Sequence, residues 1–407
     1  MRSNHGTRLF VALCAAGATG AVLAVDTPDS DLARMAAAPM TSAYVTREAS
    51  APPAIKARLE SLRRANELAN RTYTIGYTTA MDRPLSLLAG ARAPRDLSAR
   101  IEKQNVLASK LFAADRAARN AFEKLHPGQL TESGVSCSAG LLAFDWRSLG
   151  KVTAVREQQC GNCWAYASMA AYESSYLIRN GLSVDTSEQY DVKCATYDDG
   201  TRAGTCKGGW HAGVFEYLVS SGDVAEPVDP DTGVDAPCIR VPSPPYRAVV
   251  WGYVNAQAAP GFEDGIPSAA DIKAALCEHG PLAAAVLATD AFEAYTGGTF
   301  NESLPASVLV KTDTNGQKYH DINHEVTLIG WNDQRHAWLI KNSWGTGWGE
   351  TGGLGAQRGY MWIDYDSDNI GLGAAWAQAQ NNLYPLPKSY FELIPHVRPF
   401  PDPAAIK

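Results

Sequence analysis

A cysteine at the start of an apolar segment has the setting of a nucleophile. Cys163 follows Asn162 in the run Gln158-Gln159-Cys160-Gly161-Asn162-Cys163-Trp164, and apolar residues continue after it at helical spacing. Asn is favoured at a helix N-cap, so we expect Cys163 in the first helical turn. There the helix dipole and free backbone N–H groups favour the thiolate, and with a nearby cation they lower a thiol pKa from ~8.5 to roughly 3.5–7.5. The pattern predicts a thiolate that attacks a carbonyl carbon.

A histidine and an asparagine lie at the two ends of a predicted β-hairpin. His324 begins one strand-like run, Asn342 ends the next, and Asn332-Asp333-Gln334 has the composition of a turn. A three-residue loop centred on Asp333 would place His324 directly opposite Asn342, with Cβ atoms about 4.5–5.5 Å apart. The asparagine carbonyl would then orient the imidazole toward a thiol. A lone histidine is usually a core residue, but His324 together with Cys163 and Asn342 favours catalysis.

Two kinds of element are needed to hold these residues. Residues 163–180 predict a helix, and 251–385 is mostly strand-like apart from a helix near Ala269–Cys277. We therefore predict an α+β fold with a helical lobe at about 144–250, a β lobe at about 251–385 and a cleft between them.

The first 143 residues differ from the rest of the chain in composition and in predicted elements. Residues 1–24 have the charged start, apolar core and small-residue end of a secretory signal. Residues 25–143 follow as a pro-region and processing linker, with helices predicted at Ile55–Leu68 and Asp96–Leu125 and a strand at Tyr73–Thr79. The polar segment 126–143 is the expected processing site, and 386–407 is a Pro-rich C-terminal tail.

Composition restricts the compartment and the partners. The chain of 407 residues is 45% hydrophobic and 19% charged, and after the signal no stretch reaches the ~18 apolar residues of a membrane span. Eight cysteines in an exported chain indicate disulfides, so a secreted or periplasmic protein with no membrane partner is expected. No Cys or His pair recurs at metal-ligand spacing, and neither a metal nor another cofactor is expected.

The net charge of −7 is unevenly distributed. Residues 1–143 carry 18 basic and 12 acidic side chains, a balance of +6, and the remainder carries 18 and 31, a balance of −13. Any single charge is most simply a solvated surface group. The functional alternative is a basic leader that docks on an acidic body, with an attraction that weakens in salt. No basic patch is interleaved with aromatic residues, so nucleic acid is not an expected partner.

Several ordered motifs together resemble papain-family cysteine peptidases over roughly 144–385. They are Asp145-Trp146-Arg147, the run Gln158–Trp164, Ser187-Glu188-Gln189, Cys206-Lys207-Gly208-Gly209, Tyr295-Thr296-Gly297-Gly298 and, most specifically, Asn342-Ser343-Trp344-Gly345-Thr346-Gly347-Trp348-Gly349. The resemblance implies a papain-like two-lobed fold, with a helical lobe, a β-barrel-like lobe and a cleft, behind a partly helical pro-region. It also implies a monomeric thiol endopeptidase that cuts proteins or peptides and is made as a secreted zymogen.

The resemblance assigns a role to each residue of the site. Cys163 is the nucleophile, His324 the general acid/base and Asn342 the residue that orients it. The oxyanion is expected to bind the Cys163 backbone N–H and the side chain of Gln158. Gln159 is the alternative, because one residue fewer than usual separates Gln158 from the first cysteine of the motif.

Further residues are expected along the substrate. By the resemblance, Gly208-Gly209 would let a substrate backbone approach closely, and Trp344 would shield the His–Asn hydrogen bond from water. Trp210, His211 and Glu325 are expected at the pocket for the second side chain upstream of the cut. Glu325 would invite a basic side chain there or point to solvent, and the sequence leaves both possibilities open.

Six cysteines remain once Cys14 leaves with the signal and Cys163 is set aside as a free thiol. By the resemblance, two disulfides join Cys160 to Cys206 and Cys194 to Cys238. The other two, Cys137 and Cys277, pair with each other or stay free, Cys277 then being a buried apolar residue.

The spacing of the site residues and the pattern of the N-terminal pro-region both differ from those typical of the papain family. The Cys–His and Cys–Asn separations of 161 and 179 residues exceed the ~130–150 typical of it, so insertions are expected at Pro227–Pro245 and Asn301–Asp321. The leader lacks the usual charged-aromatic helix pattern, yet we expect the pro-region to act as an intramolecular inhibitor. Two alternatives use the same scaffold: an acyl or amide transferase with the same thioester, and a catalytically silent peptide-binding module.

Overall fold

The structure is a computed structural model and describes residues 40–131, 136–397 and 400. The predicted signal at 1–24 lies outside these residues, as do 401–407 of the predicted tail. Among the described residues, no helix combines the length and apolar character needed to cross a membrane.

Within the described residues, three α-helices precede the predicted catalytic region. Helix α1 spans Ser42–Ala49, α2 spans Pro53–Leu68, strand β1 spans Tyr73–Ile75 and the long α3 spans Leu97–Leu125. The two helices predicted here are present as α2 and α3, whereas the strand expected to reach Thr79 ends at Ile75. Proline is well placed at the first position of α2, because its missing N–H would be unpaired there in any case.

The helical lobe is built around one buried helix. Helix α4, Cys163–Asn180, is buried on nearly every face and ends at Gly181, whose φ of 69° suits a helix C-terminus. Around it lie α5, Glu188–Cys194, α6, His211–Ser220, and a two-stranded ribbon of β3, Gly204–Thr205, and β4, Gly208–Gly209.

One mixed sheet forms most of the β lobe. Its strands are β2 Ala143–Asp145, β5 Ala248–Tyr253, β6 Leu282–Val286, β7 Tyr295–Phe300, β10 His324–Asn332, β11 Ala337–Lys341, β12 Tyr360–Asp364 and β13 Leu372–Ala379. They run in the order β1-β7-β12-β11-β10-β6-β13-β5, with β2 added beside β10. The two end strands do not pair in the described chain, so the expected barrel-like lobe is an open sheet without closure.

The remaining elements surround this sheet. Helix α7, Ala269–His279, matches the helix predicted near Ala269–Cys277. Helix α8 is Asp290–Glu293, and the predicted insertion at 301–321 contains α9, Ala306–Leu309, with the hairpin of β8, Val310–Thr312, and β9, Lys318–His320. Helix α10, Lys388–Leu393, lies in the predicted tail.

The hairpin of β10 and β11 has a different register from the one predicted. Its loop has four residues, because Asn332 pairs with Ala337, and a bulge at Leu328–Gly330 shifts the pairing by one residue further along. Asn342 follows the last paired residue, Lys341, and therefore does not stand opposite His324. The direct cross-strand pair was a wrong prediction, although the two side chains still meet, as described below.

Three disulfides join the described cysteines other than Cys163. They link Cys160 to Cys206, Cys194 to Cys238 and Cys137 to Cys277, with Cα–Cα distances of 5.3, 4.8 and 5.2 Å. The first two are the pairs implied by the resemblance, and the third answers the question left open for Cys137 and Cys277. Cys163 remains a free, buried thiol.

Candidate active site

Cys163 is the first residue of α4, as its sequence context predicts. Asn162 occupies the N-cap position, but its side chain makes no capping hydrogen bond and instead donates to Asp231 at 3.3 Å. The free N–H groups of the first helical turn therefore lie at the thiol, where they can stabilise negative charge.

His324 is the first residue of β10, and a hydrogen bond fixes its ring. Its Nε2 lies 2.8 Å from the side-chain oxygen of Asn342, which also accepts from the Ser343 backbone N–H. The indole of Trp344 lies over the imidazole at a centroid distance of 4.6 Å, and it is fully buried. A buried hydrogen bond under an aromatic cover holds the ring in one orientation.

The thiol and the imidazole belong to one site. The backbone of Glu325, the residue after His324, lies near enough to the Cys163 thiol to act on its pKa, which it lowers. The N-terminus of α4 and the start of β10 therefore meet between the helical and β lobes.

Of the two glutamines considered for the oxyanion, Gln158 lies at the cleft. It is fully buried, its Nε2 donates to the carbonyls of Leu88 at 3.0 Å and Cys160 at 2.6 Å, and its Oε1 accepts from the Ser343 hydroxyl. Gln159 is exposed and donates back to the Glu157 carbonyl. The geometry thus favours Gln158.

A segment of the N-terminal region occupies the cleft. In this cleft segment, Leu88–Arg92, the Gly90 N–H donates to the Cys163 sulfur at 3.3 Å and the Gly90 carbonyl accepts from the Gly209 N–H at 2.9 Å. The Arg92 N–H then donates to the Gly209 carbonyl at 2.9 Å, so the two chains run parallel. An amide N–H, not a carbonyl carbon, faces the sulfur.

Only glycine fits at position 90. A Cβ there would stand 2.0 Å from the Gly161 carbonyl oxygen, so a side chain would push the cleft segment out of place. The sequence analysis did not predict that Leu88–Arg92 would lie in the cleft. The segment's one signal is the small, apolar stretch Leu87-Leu88-Ala89-Gly90-Ala91 between two prolines.

Burial under the cleft segment sets the ionisation of the pair. It raises the pKa of the Cys163 thiol to about 12, an effect increased by the negative charge of Glu325. It lowers the pKa of His324 to about 4, although the hydrogen bond to Asn342 opposes this. Both groups are therefore neutral near pH 7, and the thiol pKa expected from the sequence is wrong for this covered form.

The predicted substrate-binding residues lie beside the cleft segment. Gly208 has a φ of 126°, and a Cβ there would lie 2.4 Å from the Gly90 carbonyl oxygen, so the glycine lets the cleft segment approach closely. A Cβ on Gly209 would instead meet Trp164 and the Ala203 carbonyl inside the helical lobe. Trp210 is buried, and its indole N–H donates to the Tyr253 hydroxyl.

Glu325 makes a contact that the sequence did not indicate. Its carboxylate lies 3.0 Å from Nδ1 of His211, and both side chains are 0% exposed. The possibility that Glu325 points to solvent is therefore wrong. The His211 ring lies against that of Trp210, with a centroid distance of 4.2 Å. All three side chains are buried, so Glu325 does not form an open acidic pocket in this structure.

One group in the described chain could hold a cation. His336, Asp364 and Asp366 bring ligand atoms within 4.8 Å of one another at the surface. They lie at the end of β11 and β12 opposite Asn342, so they take no part in the Cys–His site.

Comparison with known proteins agrees with this geometry. The family described as papain family cysteine protease matches residues 142–371, more than half of the chain. The chain belongs to the papain family of cysteine peptidases. It is 35% identical over 258 residues to cysteine proteinase 2 of Entamoeba histolytica, covering 61% of this chain and 69% of that protein. It is 34% identical over 254 residues to cysteine proteinase 15A of Pisum sativum, covering 59% and 62%. This peptidase is a papain-like cysteine endopeptidase.

Solved structures of precursors share its fold. Digestive procathepsin L2 of Tenebrio molitor superposes with a TM-score of 0.55 at 22% identity, covering 86% of this chain and 98% of that one. A recombinant stem bromelain precursor gives 0.51 at 22% identity, with 79% and 89% covered. The shared fold includes helices that precede the catalytic region, as in a pro-region.

Proposed function

We propose that this peptidase is an exported zymogen in which the cleft segment blocks the active site until it is removed. One observation carries the proposal: the Gly90 N–H is bonded to the Cys163 sulfur while the Leu88 carbonyl is bonded to Gln158. The nucleophile and the expected oxyanion donor are thus both occupied by the chain's own N-terminal region. Three disulfides fit an oxidising compartment, secreted or periplasmic.

Opposite charges also hold the N-terminal region in place. Arginines before residue 143 pair with carboxylates after it, as the basic-leader hypothesis expects. The pairs are Arg58 with Glu293 at 2.5 Å, Arg71 with Glu302 at 3.2 Å and Arg83 with Glu157 at 3.6 Å. The partly buried pairs are weakened less by salt than exposed ones.

Removal of the cleft segment should switch on the chemistry. Once water reaches the site, the burial that raises the thiol pKa and lowers the His324 pKa is lost, and the proton passes from sulfur to imidazole. The thiolate of Cys163 then attacks a peptide carbonyl, and the new negative charge on oxygen binds the Cys163 N–H and Gln158. The imidazolium protonates the leaving amine, Asn342 keeps the ring oriented, and water hydrolyses the thioester.

The pocket beside Gly209 should accept small, uncharged side chains. Ala91, whose neighbours exchange backbone hydrogen bonds with Gly209, is buried there in the covered form. The carboxylate of Glu325 is already paired with His211, so it offers little to a basic substrate side chain. Peptides with Ala and with Arg at the second position before the cut would measure this preference.

Labelling of the thiol tests the zymogen proposal. A thiol-directed epoxide should label Cys163 slowly in the intact chain and rapidly after the N-terminal region is cut, in step with hydrolysis of a fluorogenic peptide. Cys163→Ala should abolish both signals. Equal labelling rates before and after the cut would refute the block, and labelling without hydrolysis would favour the silent module. Transfer to an added amine in place of water would reveal the transferase. We expect the activated enzyme to elute as a monomer.

A further inference from the structure

We propose that α3 is a permanent structural part of the active enzyme, although it lies in the region expected to be removed. This inference rests on the proposed function, in which the cleft segment is what must leave. Helix α3 follows the cleft segment in sequence. It packs against β5 and α10, and an ion pair joins it to Arg179 near the end of α4.

The first observation is that α3 covers a sheet edge. β5 is the last strand in the sheet order and has no further neighbour among the described strands. Side chains of α3 take the place of a neighbour: Gln104 donates to the Trp251 carbonyl at 2.8 Å, and Asn105 accepts from the Tyr253 N–H at 2.9 Å. Without α3, these edge groups would be open to pairing with another chain.

Apolar contacts join the same two elements. Four side chains of α3 are at most 4% exposed: Leu97, Ile101, Ala108 and Leu111. The helix lies so close to the strand that a Cβ on Gly252 would stand 3.1 Å from that of Ala108. This is the packing of a core, and its loss would expose the apolar face of the strand to water.

A buried ion pair links α3 to the catalytic helix. Both oxygens of Asp115 lie 3.0 Å from Nη2 of Arg179 near the end of α4, and the side chains are 2% and 5% exposed. The Tyr384 hydroxyl completes the group by donating to Asp115. Departure of α3 would take the carboxylate from a guanidinium that the surrounding side chains bury, which is costly.

The C-terminal tail holds α3 from another side. Helix α10 packs against α3, and the hydroxyl of its buried Tyr390 donates to the Val249 carbonyl of β5. Ile394 and Val397 are buried after it, and they line a groove whose other wall is α3. The tail therefore packs against both α3 and β5 and joins the two elements.

The chain after α3 is tied to the catalytic region as well. The Thr131 hydroxyl contacts the Ile178 and Arg179 carbonyls at 3.0 and 2.7 Å, and Cys137 is bonded to Cys277 of α7. A cut between Cys137 and residue 143 would therefore leave α3 covalently attached. By contrast, the connection before α3 is accessible, with Arg95 and Asp96 exposed. A cut at 93–96 would separate the cleft segment from α3 and leave the contacts of α3 with β5, α10 and Arg179 intact.

A double-cut chain tests the proposal. Full-length protein carrying Cys163→Ala would receive two recognition sequences for an unrelated protease, one in place of residues 93–96 and one in place of 126–129. Both cuts together leave α3 without any covalent link. We expect α3 to co-elute with the body on size exclusion in native buffer and to separate only in denaturant. Elution of α3 as a free peptide would overturn the proposal. Because this chain lacks the thiol, the result does not depend on whether the peptidase proposal is right.

Two matched variants provide a second test, in which the melting temperatures of the intact chain and of the activated enzyme are compared. Asp115→Asn should lower the melting temperature of both the intact chain and the activated enzyme. Asp82→Asn, which loses a partly exposed ion pair to Arg47 in the removable part, should lower only that of the intact chain. Activated wild-type enzyme should also yield peptides of 97–125 by mass spectrometry. An activated enzyme without these peptides, or one insensitive to Asp115→Asn, would refute permanent retention.

Discussion

Replacing Gly90 with alanine should open the cleft of the intact chain. The new Cβ would meet the Gly161 carbonyl at 2.0 Å from its oxygen and 2.7 Å from its carbon, so the clash is with backbone that cannot swing aside. The φ of Gly90 is not left-handed, so alanine itself suits the local backbone. The expected effect therefore comes from the contact alone.

The magnitude follows from the cost of overpacking. An extra methyl group in a close-packed site costs about 1–3 kcal/mol. That free energy corresponds to an increase of about 5–150-fold in the population of the open form. Since the thiol is reactive only when uncovered, labelling of Cys163 should accelerate by a similar factor.

The assay is the initial rate of epoxide labelling, followed by intact mass before any processing occurs. Gly140→Ala in the linker is the matched control, because its Cβ would meet nothing closer than 3.7 Å and should leave the rate unchanged. A Gly90→Ala chain labelled as slowly as wild type would show that the cleft segment does not control access to the thiol.

Three further predictions concern the site and its surroundings. Gln158→Ala should reduce kcat of the activated enzyme by about 10²–10³-fold through loss of an oxyanion donor, whereas Gln159→Ala should change it little; equal effects would contradict the assignment. Glu325→Gln should lower the pKa of Cys163 in the intact chain, because a negative charge that raises it is removed, and the pH profile of labelling should move to lower pH; an unmoved profile would contradict this. Burial lowers the pKa of His279 to about 3, so between pH 6.5 and 3 the unfolded chain binds the extra proton and stability should fall with acidification, by at most about 1.4 kcal/mol per pH unit. Denaturant unfolding across that range should show a shallower slope for His279→Gln.

Local chemistry was enough to predict the elements that hold the site. The apolar run after Asn162 predicted α4, and helical periodicity predicted α3 and α7 to within a few residues. The hairpin register was not predictable in the same way. The loop places Trp338 rather than Arg335 opposite Trp331, a shift of three residues, and a bulge then shifts the pairing back by one residue. The side chains of His324 and Asn342 still meet, although Asn342 lies beyond the last paired residue and its N–H donates to the Gly359 carbonyl.

Long-range contacts account for what the sequence did not indicate. The pairing of Glu325 with His211 joins residues 114 positions apart, and no local pattern signals it. The covered, neutral state of Cys163 likewise depends on Gly90, 73 positions earlier. A helix start predicts a low thiol pKa, but burial by a distant segment outweighs it. The pairing of Cys137 with Cys277 could not be predicted for the same reason, because the spacing of cysteines along the chain does not determine which of them pair.

The amide of Gln158 binds its own chain through the Leu88 carbonyl, at the position where a substrate's developing charge would later be received. In the proposed mechanism, the same Gln158 N–H group holds the cleft segment in the precursor and stabilises the oxyanion during catalysis. By that mechanism, a substitution at Gln158 that slows hydrolysis should also weaken the hydrogen bond to the cleft segment, so activity of the precursor and of the activated enzyme should change together.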